Sequence, residues 1–387
     1  MRTYEQTHPW LTFRLDLRQV SYQLWLLLGE AQSKCEHIAG TPLLPEVAQR
    51  LYHLFLAKGV LATTAIEGNT LTEKEVLQRI QGELLLPSSR AYLGQEIDNI
   101  VEACNRIGNE ILNGEPITLR PESLQDYNRL VLRNLPLAEG IIPGEIRQHQ
   151  VMVGRYRGAP PEDCDHLLNN LCDWLNNGFA APAGYRIAFG VLKAIVAHLY
   201  LAWIHPFGDG NGRTARLLEF QILLSVGVPA TAAHLLSNHY NQTRTEYYRH
   251  LDLAHQSGGN PLPFIQYALQ GFVDGLHEQI ALIKSQQLQV HWINYIHNTF
   301  KDLGSPPATR RRRLVLDLSE QREPVLLTKI RYLTPRIAEA YANKTDKTVQ
   351  RDVQALEEMG LVRRTTSGIQ ANRELVLAFR PPTRPGE

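Results

Sequence analysis

The sequence predicts a mainly α-helical protein with one β-hairpin set into its helical part and a small α+β domain after it. Three observations carry this prediction. Apolar residues recur at helical spacing through 43–62, 92–113, 121–133, 165–176 and 263–300, one face of a 3.6-residue period. A single stretch, 147–157, breaks that period around Gly154 and reads as a short hairpin. Finally, Asp302-Leu303-Gly304-Ser305-Pro306-Pro307 has the composition of a linker, and the chain beyond it reads helix, turn, helix, extended pair. The expected segments are a helical region over 1–110, a helical body over 111–300, a linker at 301–307 and a terminal domain over 308–387.

Length and composition fit a globular chain of two or three domains. It has 387 residues, 43% hydrophobic and 20% charged, enough to build a sizeable core. The net charge of +1 says nothing of partners, but its distribution does. Residues 306–387 hold 16 Lys and Arg against 10 Asp and Glu, a net of +6, and the rest of the chain carries −5. A basic end on an acidic body points to nucleic acid at that end. Cys35, Cys104, Cys164 and Cys172 form no C-x-x-C pair and fit reduced, buried thiols in a cytoplasmic protein. Met1-Arg2-Thr3-Tyr4-Glu5 has no apolar run of the secretory type. The most apolar stretch, 187–204, contains Lys193 and His198 and reads as a buried helix, so no membrane partner is expected.

Taken in order, 15–28 is apolar at helical spacing and is expected to pack. Residues 43–62 form a clearer helix, with Leu51, Leu54 and Phe55 on one side and Glu46 in its first turn. Thr63-Thr64-Ala65-Ile66-Glu67-Gly68 ends it, with Gly68 as the cap. A glutamate is disfavoured at a helix C-terminus, so Glu67 asks for another explanation. Thr72, followed by Glu73 and Glu75, opens a helix to about Ile80, and 84–89 is a loop. In 92–113, Ile97, Ile100, Val101, Cys104 and Ile107 share a face, and in 165–176 Leu167, Leu168, Leu171, Trp174 and Leu175 are apolar.

Two apolar helical runs, 191–204 and 217–224, flank His205-Pro206-Phe207-Gly208-Asp209-Gly210-Asn211-Gly212-Arg213-Thr214-Ala215-Arg216. The segment reads as a helix–loop–helix corner whose loop opens the second helix. Its glycines let backbone approach a ligand, and the free N–H groups of the second helix make an anion site. Arg213 and Arg216, three apart, suit phosphate. Asp209 is a hard oxygen ligand of the kind that holds Mg²⁺ beside substrate phosphates. His205 is the candidate proton acceptor. Together they point to phosphoryl or nucleotidyl transfer from a Mg²⁺-bound nucleotide.

The corner resembles the signature of the Fic family, His-Pro-Phe-x-Asp/Glu-Gly-Asn-Gly-Arg-x-x-Arg, and every fixed position is matched. The resemblance spans roughly 40–280. It implies a Fic-type helical core with a β-hairpin flap and transfer of AMP from ATP to a Ser, Thr or Tyr hydroxyl of a target protein. It implies His205 as the base, Asp209 holding Mg²⁺, and Gly210, Asn211, Gly212, Arg213, Thr214, Ala215 and Arg216 around the ATP phosphates, Arg216 at the γ-phosphate. Thr63-x-x-x-Glu67-Gly68 is similar to the family's inhibitory motif, in a helix at about 43–67, and implies that Glu67 pairs with Arg216 and displaces the γ-phosphate. Gly144-x-x-Arg147 and the hairpin at 147–157 resemble the family flap, on which a target protein docks as an added strand. Val151, Met152, Val153 and Gly154 would be its nucleotide-facing part. Tyr247 and Tyr248 resemble the helix lining the adenine pocket. Tyr248 serves equally as core packing or pocket wall, and His255 stands where some relatives place asparagine. The same site could also remove AMP. A homodimer that stabilises the inhibitory helix fits this class.

Beyond the linker, Arg310-Arg311-Arg312-Arg313 is read as opening a helix, and Thr334-Pro335 as starting a short one. A helix at 345–358 exposes Lys347, Thr348, Gln350 and Arg351, and 361–379, with an extended run at 374–379, is read as a wing. The order resembles a winged helix-turn-helix (α+β) domain. Those four residues are the candidate DNA contacts, and dimerisation or target binding is the other use of such a module. The alternative to the enzyme is a nucleotide-sensing DNA-binding transcriptional regulator with a slow or idle Fic core.

Overall fold

A computed structural model describes residues 2–18, 20–114 and 118–377. Two compact units divide the chain, Met1–Ile280 and Ala281–Glu387.

Among the described residues, the first unit is built of helices and one hairpin, with an isolated bridge between Ile146 and Phe207. Its elements are α1 (Thr3–Thr7), α2 (Tyr22–Ala39), α3 (Pro45–Ala65), α4 (Glu73–Ile80), α5 (Ala91–Leu112) and α6 (Pro121–Val131), then β1 (Met152–Val153) and β2 (Tyr156–Arg157). After the hairpin come α7 (Cys164–Asn177), α8 (Arg186–Ile204), α9 (Asn211–Ser225), α10 (Leu235–Gln242) and α11 (Arg244–Gln256), and α12 (Leu262–Thr299) begins here. The start signals act locally. Thr72 accepts from Glu75 N while Glu75 bonds back to Thr72 N, a full capping box on α4. Pro45 fills the first position of α3, with Glu46 in its first turn. The helix expected from residue 15 begins only at Tyr22. Asp16 accepts from both Arg18 N and Arg18 Nε, so an aspartate-centred turn competes with the helix there.

The core is built round α8. Fifteen of its 19 residues are buried, and it packs on α2, α7 and α9. It is long and apolar enough to cross a membrane by length and composition, yet most of it lies inside the protein. α9 in turn contacts α3, α5 and α6, so the corner between α8 and α9 sits where five helices converge. α3 also packs on α10 through Gly59, where a Cβ would overlap the His234 ring. That ring is stacked on Phe220 of α9, centroids 4.5 Å apart.

The second unit has its own core. Trp292 and Ile296 of α12 and Phe300 just past its end join Leu314, Val315 and Leu318 of α13 (Pro306–Ser319), Ile337 and Tyr341 of α14 (Pro335–Tyr341), and Val349, Val353 and Leu356 of α15 (Asp346–Glu358). β3 (Val362–Thr365) and β4 (Gly368–Ala371) pair antiparallel, and Val325 bridges to Ile369. Ser305 caps α13 by accepting from Ala308 N, so Arg310 to Arg313 lie inside that helix rather than opening it. Thr334 caps α14 as expected. The return strand is 368–371, and Arg373–Val376 is a 3-10 turn in place of the extended run expected at 374–379. Residues 378 and 379 lie outside the described part. On α15, Lys347, Gln350 and Arg351 are exposed, whereas Thr348 is half-buried against Thr345, 3.4 Å between hydroxyls.

Because α3 carries the segment that reaches the corner, its close approach to α10 is testable. Gly59→Ala should destabilise the first unit by about 1–3 kcal/mol, the cost of forcing atoms into a filled interface, read as a lower midpoint in chemical denaturation. An unchanged midpoint would show that His234 and Phe220 move aside freely.

Candidate active site

α8 ends at His205, which adopts φ 51°, ψ 57° as the helix C-cap. A left-handed non-glycine residue costs about 1 kcal/mol or more, so the surroundings must hold it. Arg147 does much of this. Its Nε donates to the His205 carbonyl at 2.7 Å and its backbone N–H to the Pro206 carbonyl at 3.0 Å. Its other guanidinium nitrogens serve the carbonyls of His149 and Ala159. One buried arginine thus ties the hairpin base to the loop. The His205 ring is half-buried, and burial pulls its pKa down to about 4, with the Arg147 charge acting in the same direction. Its Nδ1 lies 3.4 Å from the Ala202 carbonyl. A carbonyl can only accept, so Nδ1 carries the hydrogen and Nε2 keeps its lone pair.

The loop then turns into α9 through Gly210, at φ 76°, where a side chain would be strained. Asn211 clips the turn, since its Oδ1 accepts from Phe207 N at 3.0 Å and its Nδ2 donates to Phe207 O at 2.8 Å. Thr214 spends its hydroxyl on Gly210 O, and Ala215 is fully buried. These three positions of the signature shape the loop, while Gly212, Arg213 and Arg216 present polar groups on the other side.

Arg213 donates to Glu96 Oε1 at 2.9 Å and to Asp209 Oδ1 at 3.2 Å. Arg216 is 2% exposed at its side chain. Its Nε donates to Thr63 Oγ1 at 2.8 Å, and its Nη2 to Thr63 O at 3.0 Å and Glu67 Oε1 at 2.6 Å. Two guanidinium nitrogens are left over, since Arg213 Nε and Arg216 Nη1 are buried without an acceptor among the described residues. Unsatisfied buried donors are uncommon, and those of a charged group are costly. The Glu67 carboxylate lies over the first turn of α9, close enough that a Cβ on Gly212 would overlap its Oε1. Burial raises the Glu67 pKa, but the Arg216 charge and hydrogen bond, with Arg213 beyond, outweigh it and leave the carboxyl below its ordinary value. The expected pairing of Glu67 with Arg216 is present in this structure.

Three residues of the site gave no signal in the sequence. Asn128 on α6 is fully buried; it donates to Asp209 O at 2.8 Å and accepts from Gly144 N at 2.9 Å. Asn69 donates to Leu93 O and to Glu96 Oε2, fixing the turn that follows Glu67. Glu96, whose pKa burial raises, links that turn to Arg213. Each lies on a different helix or turn from the signature and is brought in only by packing.

The remaining candidates sit at the margin. Met152 and Val153 on β1 are exposed, Val151 is half-buried, and Gly154 makes the turn at φ 59°. The hairpin base abuts the corner between α8 and α9, because a Cβ on Gly158 would lie 3.1 Å from His205 Cβ and 3.2 Å from Val151 Cγ2. Tyr248 is 41% exposed, with the Arg244 guanidinium 5.9 Å from its ring centroid. His255 packs at 4.8 Å from the Tyr156 ring and 6.3 Å from Trp10.

Residues 118–223 match the model of the Fic/DOC family. The chain is 28% identical to protein adenylyltransferase fic-1 of Caenorhabditis elegans over 256 residues, 66% of this chain and 46% of that one. It is 30% identical to protein adenylyltransferase Fic of Nematostella vectensis over 220 residues, 57% and 45% of the two chains. The chain thus spans about half the length of the curated relatives it matches. Among solved structures, a Fic family protein from Desulfovibrio desulfuricans G20 superposes with TM-score 0.57 at 20% identity, over 91% of this chain and 94% of that one. Fic-1 (aa134–508) of C. elegans does so with TM-score 0.55 at 25% identity, over 68% and 74%. With the loop, its histidine and its arginines all inside the matched segment, the chain carries a Fic domain.

Proposed function

We propose that the chain is a protein adenylyltransferase, moving AMP from ATP to a Ser, Thr or Tyr hydroxyl and restrained by its own Glu67. The observation that carries this is the pair of buried guanidinium nitrogens on Arg213 and Arg216, unsatisfied among the described residues, at the start of α9, in the same corner as a histidine whose Nε2 keeps its lone pair. Guanidinium N–H groups are the kind of donor that phosphate oxygens satisfy.

In the reaction, His205 Nε2 takes the proton of the target hydroxyl. The hydroxyl oxygen bonds to the α-phosphorus of ATP, the bond from that phosphorus to the β-bridging oxygen breaks, and diphosphate leaves. Arg213, Arg216 and the first N–H groups of α9 offset the charge carried by the phosphate oxygens. The donor set at Asp209 fits Mg²⁺. It is a single carboxylate, 44% exposed at its side chain and using Oδ1 for Arg213, and such an ion is bound by one or two carboxylates plus substrate phosphates. When bound, Mg²⁺ would neutralise phosphate charge. Glu67 competes for the same guanidinium that the γ-phosphate needs, one carboxylate against one phosphate. The same site, with Glu67 orienting a water, would also remove AMP from a modified target by hydrolysis, the water oxygen bonding to phosphorus as the target oxygen leaves with a proton.

With α-labelled ATP and Mg²⁺, wild-type protein should label itself weakly, Glu67→Gly strongly, and Glu67→Gly/His205→Ala not at all. Absence of label in all three would sink the transferase proposal. The pH profile offers a second check. The imidazole sits near 4 instead of about 6.5, so the neutral, proton-accepting form persists below pH 6.5. The acid limb of kcat/KM for Glu67→Gly should therefore fall below pH 6.5, whereas a limb at or above 6.5 would mean that the ring is not the buried base. By the same shift the unfolded chain binds this proton more readily. The fold therefore loses stability as pH drops from about 6.5 toward 4.

For the second unit, one observation favours contact with DNA. Lys347, Gln350 and Arg351 share the exposed side of α15, and neither Lys347 nor Arg351 is drawn into an ion pair among the described residues. Arg310 and Arg311, by contrast, are held by the buried Asp352 at 2.6 and 2.8 Å. Only part of the basic run is on offer. Fluorescence anisotropy of the full chain on a mixed-sequence 30-base-pair duplex should show salt-dependent binding, and Lys347→Glu/Arg351→Glu should flatten its log–log salt slope by about 2. An unchanged slope would remove α15 from any DNA interface.

A further inference from the structure

We propose that the N-terminal strap, residues 2–13, closes one edge of the flap hairpin and so commits an extended target segment to the other edge, at Met152, with His8 as the positioning residue. The proposal rests on the transferase activity proposed above and names where its protein substrate pairs.

The strap is anchored at both ends. Arg2 pairs with Asp163 at 3.2 Å and Tyr4 N donates to the same carboxylate at 2.7 Å. Phe13, at φ 51°, packs between Trp174 and Tyr200. Between them, Trp10 lies against Gly259 so closely that a Cβ there would overlap it. His8, 4% exposed, makes the contact that matters. Its Nε2 lies 2.9 Å from the Arg157 carbonyl and must donate to it, while its Nδ1 meets Thr7 Oγ1 at 2.8 Å. Its ring stands edge-on to Tyr156 at 6.1 Å.

The register of the hairpin gives that bond its meaning. Gly158 N donates to Val151 O at 3.1 Å, and Met152 is the partner of Arg157. Hydrogen-bonded and non-bonded pairs alternate along an antiparallel ladder, so Met152 and Arg157 form a non-bonded pair whose N–H and C=O groups point away from each other. On β2 the outward carbonyl is taken by His8. On β1 the outward groups of Met152 are left for an incoming strand, and Met152 is 68% exposed. β-Augmentation uses such main-chain groups. The hairpin is also fixed to the catalytic corner, since Tyr156 OH donates to Trp203 O at 2.6 Å, two residues before His205. A target hydroxyl carried by a strand on β1 is thereby registered against a hairpin that the strap holds still.

The test uses the full chain carrying Glu67→Gly. Three quantities are read: amide exchange over 150–158 by mass spectrometry, ATP affinity, and self-labelling from α-labelled ATP. His8→Ala should speed exchange in the hairpin and lower labelling, each about tenfold, as loss of one buried hydrogen bond allows, while ATP affinity holds within about twofold. His8→Gln, whose carboxamide can donate to the same carbonyl, should restore both. Met152→Pro removes the outward N–H and should lower labelling while leaving exchange of the Gly158 amide unchanged. Unchanged exchange in His8→Ala, no rescue by His8→Gln, or full labelling by Met152→Pro would each overturn the proposal. If Glu67→Gly itself transfers nothing, the transferase proposal fails, and the exchange measurements alone still decide whether His8 holds the hairpin.

Discussion

A guanidinium buried in the second turn of α9 cannot be left without acceptors, and much of the first unit is arranged round that requirement. Arg216 draws Thr63 and Glu67 to it from the end of α3. α3 in turn is seated by Gly59 against α10, and the turn beyond Glu67 is pinned by Asn69 to α5. The same demand explains why a glutamate stands at a helix C-terminus, where the dipole disfavours it. Removing one partner of such a pair leaves a buried charge uncompensated, which is far more costly than forming the pair is favourable. The arrangement remains incomplete at Arg216 Nη1, and that residual demand is what a phosphate would meet.

The corner at His205 faces the opposite problem. Here backbone, not charge, is held in an unfavourable state. Arg147 reaches across from the hairpin base to secure the left-handed carbonyl, so hairpin and histidine form one mechanical body. Asn128 does the equivalent on the far side of the loop, joining Asp209 O to Gly144 N. A target positioned by the hairpin would be positioned relative to the base by the same set of bonds.

Much of this was legible in the sequence because it is local. The N-caps at Thr72 and Thr334, the left-handed glycine opening α9 and the paired arginines three apart all depend on neighbours within a turn, whereas the cap at Ser305 was passed over for the arginine run behind it. The pairing of Glu67 with Arg216 was reached through the resemblance, aided by a residue out of place. What stayed hidden is long-range. Asn128, Asn69 and Glu96 are ordinary helix or turn residues until packing brings them to the loop. Asn211, Thr214 and Ala215 look like ligand residues in a motif, yet two clip the turn and one fills the core. The late start of α2 and the 3-10 turn at Arg373–Val376 were missed because apolar spacing does not report a competing turn.

Glu67 is part of the same chain as the arginine it occupies, and this changes what can dislodge it. A free inhibitor is diluted or outcompeted as ligand rises, but a tethered carboxylate keeps a fixed effective concentration at its site. On the proposed reading, raising ATP works against a rival that never diffuses away. Gly68, at φ 105° with open space where a side chain would go, directly follows Glu67. On the proposed reading, freeing the site means moving the turn that carries Glu67 rather than raising the concentration of nucleotide.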